Sequence, residues 1–178
     1  AIRLGSVKTV LLAEDGRDQV SGFHMAGDVI GTDGIGGEHH ECQAIALEDT
    51  EVCAIPYSRI EELEHASPQV LRNMHRMLAD EIGRERRVML MLGTLRADQR
   101  LAAFLIDLAR RYHARGYSSS EFVLRMTRDE IGSFLGLKLE TVSRLLSRLH
   151  REGVIQVQGR SIKILDPVAL KRLIETSV

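Results

Sequence analysis

The sequence predicts an α+β protein in three parts: an N-terminal β-roll of jelly-roll type over residues 1–66, a long helix over 67–96 and a winged helix-turn-helix over 97–178. Three observations carry this. Short apolar runs separated by glycines fill the first 56 residues, the mark of short strands joined by tight turns. From Pro68 the glycine punctuation thins and apolar residues recur at alternating spacings of four and three, the rhythm of a coiled coil. From Thr127 a capping pattern, a turn glycine and a second apolar helix follow one another, as two helices joined by a tight turn require.

Composition sets the class. At 178 residues the chain is long enough for a real core, and with 44 % hydrophobic and 28 % charged residues it reads as a globular protein rather than a disordered one. The apolar runs, such as "VMLML" at 88–92, are short and interrupted, too short to span a bilayer, so no membrane partner is expected. Two cysteines are too few for a disulfide framework, which with no secretory signal predicts a cytoplasmic setting. The chain opens without Met and already inside an alternating pattern, which predicts a segment preceding Ala1. The net charge of −1 hides a division: residues 1–66 hold 4 Lys/Arg against 13 Asp/Glu, and residues 67–178 hold 20 against 12. An acidic module joined to a nucleic-acid-binding module has this asymmetry.

In order along the chain, "KTVLLAEDGRDQVSGFHMAGDVIGTDGIGG" supplies turns at Asp15-Gly16, Gly22, Gly27-Asp28, Gly31, Gly34 and Gly36-Gly37, and "QAIALEDTEVCAIPY" adds two strands around Glu48-Asp49. Short strands with frequent glycine turns favour a sandwich or roll. The helix from Pro68 carries a seam of Leu71, His75, Leu78, Ile82, Glu85, Met89 and Leu92 over about three heptads, which predicts a parallel homodimer. A second stripe of Met74, Met77, Val88 and Leu95 is free to pack on the helix's own β module. Glu85 is anomalous, because in a dimer it faces its own copy and two carboxylates brought together oppose association.

After a break near Ala97-Asp98, "DQRLAAFLIDLARRYHARG" is a helix whose Leu101, Phe104, Leu105 and Leu108 form a core face. "SSSEFVLRM" reads as a loop and a strand. "TRDEIGSFLGLKLETVSRLLSRL" then begins with Thr127 and Glu130 at capping-box spacing and turns at Leu135-Gly136. Ile131, Leu135, Leu137, Val142 and Leu145 are apolar where two crossing helices meet, with the small Gly132 where backbones approach. Such a motif puts its second helix in the major groove of double-stranded DNA. "GVIQVQGRSIKIL" reads as a β-hairpin turning at Gln158-Gly159-Arg160, the wing.

The second helix places Glu140, Ser143 and Arg144 side by side at i, i+3 and i+4. By itself this is a solvated face with a weak ion pair. In a groove, Arg144 can donate to guanine O6 and N7, Glu140 can accept from a cytosine amino group, and Ser143 can approach a thymine methyl or a base edge. Arg128, Lys138, Thr141, Arg148 and Arg160 surround the trio and suit phosphates.

A many-turned β module, a long dimer helix and a winged "MTRDEIGSFLGLKLETVSRLLSRL" together resemble the CRP/FNR transcription regulators along essentially all 178 residues. "ETVSR", with "GFHMAGDVIG", "GGEHH" and "EVCAIP", is similar to the FNR branch of oxygen-responsive activators and repressors. The resemblance implies a cyclic-nucleotide-binding-like roll, a palindrome of TTGAT-type half-sites read by Glu140, Ser143 and Arg144, and contact with RNA polymerase through surface turns such as Asp15-Gly16-Arg17. It also bears on the effector. The cyclic-AMP-binding branch clamps the nucleotide phosphate with an Arg-Ser pair and a Glu, and the resemblance places Glu41-Cys42 and Thr32 there. A carboxylate in place of a cation repels phosphate, so no cyclic nucleotide is expected.

The FNR branch carries a four-iron four-sulfur cluster on three N-terminal cysteines and one from the β module, and Cys53 in "EVCAIP" matches the fourth. One thiolate cannot hold a cluster: none is expected in residues 1–178 alone, and one is expected in the intact protein. Cys42 matches no family ligand and reads as a small buried hydrophobe. A regulator of the same architecture responding to haem or another small effector is the alternative. A cupin-like metal enzyme is the reading from another class, but His24, His39 and His40 lack the H-x-H spacing it needs, and it leaves the winged module unexplained; no enzyme activity is expected.

Overall fold

The computed structural model describes residues 1–12, 16, 18–35, 37 and 39–175, with backbone alone for 64–66. It divides into two compact units, Ala1–Val88 and Met89–Val178, so the division falls inside the long helix rather than at its ends.

In the first unit, β1 (Ile2–Leu4), β2 (Ser6–Leu12), β3 (Asp18–Met25), β4 (Cys42–Ala46) and β5 (Glu51–Val52) form two antiparallel sheets, β3-β2-β4 and β1-β5. β2 is central. Its Val7 and Val10 are buried together with Ile2, Val20, Phe23 and Met25, and His24 between the last two is buried as well. Between Thr9 and Val10 the pairing with β3 skips Ser21, a bulge. Gly5 takes φ 89° against the Thr50 turn, where an added Cβ would lie 2.6 Å from Asp49 O; only glycine fits. The two strands expected around Glu48-Asp49 are β4 and β5.

Helix α1 (Tyr57–Ala66) follows Pro56 and was not expected from the sequence. Its density of charge, with Ile60 alone half-buried among its described side chains, leaves almost no apolar periodicity to read. Helix α2 (Pro68–Thr94) is the predicted long helix, and it buries no residue fully.

In the second unit, α3 (Ala97–Ala114) is the central element, with Leu101, Leu105 and Leu108 at 2 % exposure or less. Around it lie β6 (Glu121–Val123), α4 (Arg128–Leu135), α5 (Leu139–Arg151), β7 (Ile155–Gln158), β8 (Ser161–Ile164) and α6 (Pro167–Glu175), with sheet order β6-β8-β7. The predicted hairpin turns at Gly159-Arg160, where Gly159 has φ 60°. Helix α6 was also unexpected. Asp166 accepts from the backbone of Val168 and Ala169 at 3.0 and 2.9 Å, and Pro167 takes the first helical position, a start signal that a short sequence window hides. Leu170 of α6 is fully buried. No helix among the described residues is long and apolar enough to cross a membrane.

Candidate nucleic-acid interface

Helix α4 starts as expected: Thr127 Oγ1 accepts from Glu130 N at 3.2 Å, and Glu130 Oε2 accepts from Thr127 N at 2.6 Å. It ends at Gly136, whose φ of 63° and ψ of 39° are left-handed. Gly132 is the close approach. A Cβ there would lie 2.6 Å from Leu137 O, and that approach lets Leu137 N donate to Gly132 O at 2.8 Å, so even alanine would push the two helices apart.

The geometry of α5 follows from its apolar spacing. Val142, Leu145, Leu146 and Leu149 at i, i+3, i+4 and i+7 are all buried, the stripe of a helix lying on a core. The opposite face is therefore presented outward: Glu140 and Arg144 are exposed and Ser143 half-buried. Among the described residues neither Glu140 nor Arg144 joins an ion pair or a side-chain hydrogen bond, so the i,i+4 pair of the solvated-face reading is not formed. Lys138 stands exposed at the N-cap of α5. Thr141 is half-buried in its first turn.

Arg128, the first residue of α4, and Arg160, at the wing tip, line one cleft of about 290 Å³ with Thr127, Gly159 and the apolar Leu124, Met126, Leu146, Val157 and Ile162. The cleft puts two cations beside the helix-turn-helix. Arg160 Nη1 reaches Arg125 O only at 3.4 Å.

Arg148 departs from expectation. Instead of standing free for a phosphate, its Nη2 lies 3.2 Å from Asp98 Oδ2 and its Nε 3.7 Å from Glu152 Oε1, the latter too long for a hydrogen bond. Asp98 sits in the first turn of α3, so the pair ties the recognition helix to the helix beneath it. Burial acts to raise the Asp98 pKa, but the Arg148 hydrogen bond, the Gln99 N–H and the charges of Arg96 and Arg148 outweigh it and hold the carboxyl below its ordinary range. Sequence reasoning missed this strut, and no local pattern announces it.

In the first unit, the position that the resemblance assigns to a phosphate clamp is filled from within. Asp33 Oδ2 accepts from the backbone N–H of Glu41 at 2.8 Å and of Cys42 at 3.0 Å, and Oδ1 lies 3.2 Å from His40 Nδ1. Burial opposes the charge of Asp33, but these donors prevail and its pKa is lowered. An internal carboxylate thus occupies two backbone donors.

Cys53 is exposed and its thiol is free. Its backbone pairs with the first residue, Cys53 N donating to Ala1 O and Ala1 N to Cys53 O, both at 2.8 Å. Cys42 is half-buried, its Sγ 3.8 Å from Ser21 Oγ. Among the described residues no three His, Cys, Asp or Glu side chains group as a metal site. The residues present therefore do not fit a four-iron cluster by themselves: they offer one open thiolate where four ligands are needed.

A three-stranded wing, a capped helix pair turned by a left-handed glycine and an outward polar recognition face define a winged helix-turn-helix DNA-binding regulator. Residues 99–173 match the Crp-like helix-turn-helix domain family, and residues 1–66 match the cyclic nucleotide-binding domain family. The chain is 46 % identical over 173 residues to the transcriptional regulatory protein btr of Bordetella pertussis, covering 97 % of this chain and 72 % of the relative. It is 43 % identical to the fumarate and nitrate reduction regulatory protein of Escherichia coli, covering 97 % and 69 %. Among solved structures, FixK2 from Bradyrhizobium japonicum superposes with a TM-score of 0.89 at 35 % identity, covering 99 % of this chain and 87 % of that one. The chain belongs to the CRP/FNR family of transcription regulators, and its relatives place it in the FNR branch. These are regulators, not enzymes.

Proposed function

We propose that the protein acts as a homodimer reading a palindrome of TTGAT-type half-sites. The observation that carries this is the outward face of α5, where Glu140 and Arg144 stand unpaired above a buried Val142, Leu145, Leu146 and Leu149. Arg144 reads guanine, Glu140 the cytosine amino group and Ser143 a thymine methyl or base edge, while Arg128, Lys138, Thr141 and Arg160 hold phosphates. Arg148 we reassign to orienting α5 through Asp98. The α2 seam supports a second copy: Leu71, Ile82 and Met89 are 37, 49 and 73 % exposed, apolar positions that a partner helix would cover, with Leu78, Glu85 and Leu92 completing the seam. The test is fluorescence anisotropy of a TTGAT palindrome against a scrambled duplex at fixed salt, where preference for the palindrome is expected and equal binding contradicts the reading.

In the intact protein we infer that Cys53 is one thiolate ligand of an oxygen-responsive four-iron four-sulfur cluster; its free, exposed thiol supports this. Anaerobic reconstitution with iron and sulfide tests it, since Cys53→Ser is expected to lower bound iron, and unchanged iron contradicts the assignment. No cyclic nucleotide is expected to bind, because a phosphate at Glu41-Cys42 would meet the Asp33 and Glu41 carboxylates and find both backbone donors engaged. Contact with RNA polymerase remains part of the proposal; of the Asp15-Gly16-Arg17 turn, Asp15 and Arg17 lie outside the described residues.

A further inference from the structure

Two helix ends in the second unit share one cation. Arg100, in the first turn of α3, donates from Nη2 to Leu92 O at 2.7 Å, from Nε to Leu95 O at 2.8 Å and from Nη1 to Leu135 O at 3.0 Å. Leu92 belongs to the last turn of α2, Leu95 follows it, and Leu135 is the last residue of α4. The final carbonyls of a helix have no intrahelical donor and carry the negative end of its dipole. A planar guanidinium directs several N–H groups outward in fixed directions, which an ammonium on a flexible stem does not. Arg100 therefore caps α2 and α4 at once. The turn glycine bears on the same atom, since a Cβ at Gly136 would come within 3.4 Å of Arg100 Nη1.

We propose that Arg100 is a positioning residue that locks the helix-turn-helix to the end of the dimer helix, so that the paired α2 ends set the separation of the two recognition helices. The inference rests on the dimeric reading above. Leu95 and Arg96 lie between α2 and α3, and rotation there would swing the whole reading head. The Arg100 guanidinium spans that joint and pins both sides of it to the helix-turn-helix turn. The Asp98–Arg148 pair is a second strut, holding α5 to the same first turn of α3. A dimer that reads two half-sites about one helical turn apart needs such a lock, because small rotations at the joint are amplified at the DNA.

The full chain, Arg100→Ala and Arg100→Lys are titrated against a palindrome, against versions with one base pair added or removed between half-sites, and against a single half-site, with thermal unfolding measured in parallel. The wild-type chain is expected to prefer one spacing. Both variants are expected to lose about tenfold on that palindrome and to bind the three spacings alike, while half-site affinity stays within about twofold and unfolding stays cooperative. A variant that keeps the wild-type spacing preference would overturn the proposal. So would full rescue by lysine, or palindrome and half-site affinities falling together in step with lost folding. A wild-type chain that binds the palindrome no better than a half-site would overturn the dimeric reading instead, and the lock with it.

Discussion

Helices α2 and α5 are both amphipathic, and they dispose of their apolar faces in opposite ways. On α5, Val142, Leu146 and Leu149 are at 1 % exposure or less and the polar face is open. On α2 no residue is fully buried, and Ile82, Met89 and Leu90 stand exposed. The contrast separates two tasks. On the proposed reading, the helix that enters a DNA groove completes its packing within the chain and leaves charge outside, whereas the helix that meets its own copy leaves apolar residues open.

The largest expected effect breaks the α5 side of this contrast. Leu146→Ala removes a core side chain at 1 % exposure and is expected to lower unfolding stability by about 2–5 kcal/mol. Denaturant titration checks it, and a loss under about 1 kcal/mol would mean that α5 is not anchored as described.

The strut between α5 and α3 should be visible in acid. Because Asp98 has its pKa lowered from 3.8, its contribution is complete above that ordinary value and is lost as pH falls through the lower folded value. Arg148 is 37 % exposed on its side chain, so solvent screens the pair and its worth is on the order of 1 kcal/mol. Asp98→Asn is expected to destabilise at neutral pH and to shrink the acid-induced loss below about pH 4; thermal melts from neutral to acid pH check both. An unchanged acid limb would show that other carboxylates set it.

On the α2 side, Glu85 is exposed within the apolar seam. Glu85→Ala is expected to strengthen dimerisation by about tenfold or less, from removal of like charge. Sedimentation equilibrium reads this, and equal or weaker association would place Glu85 away from its copy.

The sequence made the helix-turn-helix readable because its signals are local. Thr127 and Glu130 lie three residues apart, Gly136 marks the turn, and the α5 stripe repeats within two turns. The wing was legible for the same reason. The ties that orient these parts were not: Arg100 reaches Leu135 across 35 residues and Arg148 reaches Asp98 across 50. Nothing in a short window distinguishes such an arginine from a solvated one. The Asp33 clasp escaped notice because a short acid in a glycine-rich loop reads as an ordinary turn residue. Helices α1 and α6 escaped because each is short and bears few core positions.

The central claim is that the open face of α5 reads bases. The most direct measurement compares Arg144→Ala with Lys138→Ala on a set of palindromes substituted one base pair at a time, across a range of salt. Arg144→Ala is expected to cost about 1–3 kcal/mol at the guanine-bearing position and to erase preference there. Lys138→Ala is expected to weaken every sequence alike and reduce the salt slope by about one. Uniform loss of affinity in Arg144→Ala, with the base preference intact, would contradict the account and leave α5 as a phosphate-facing edge.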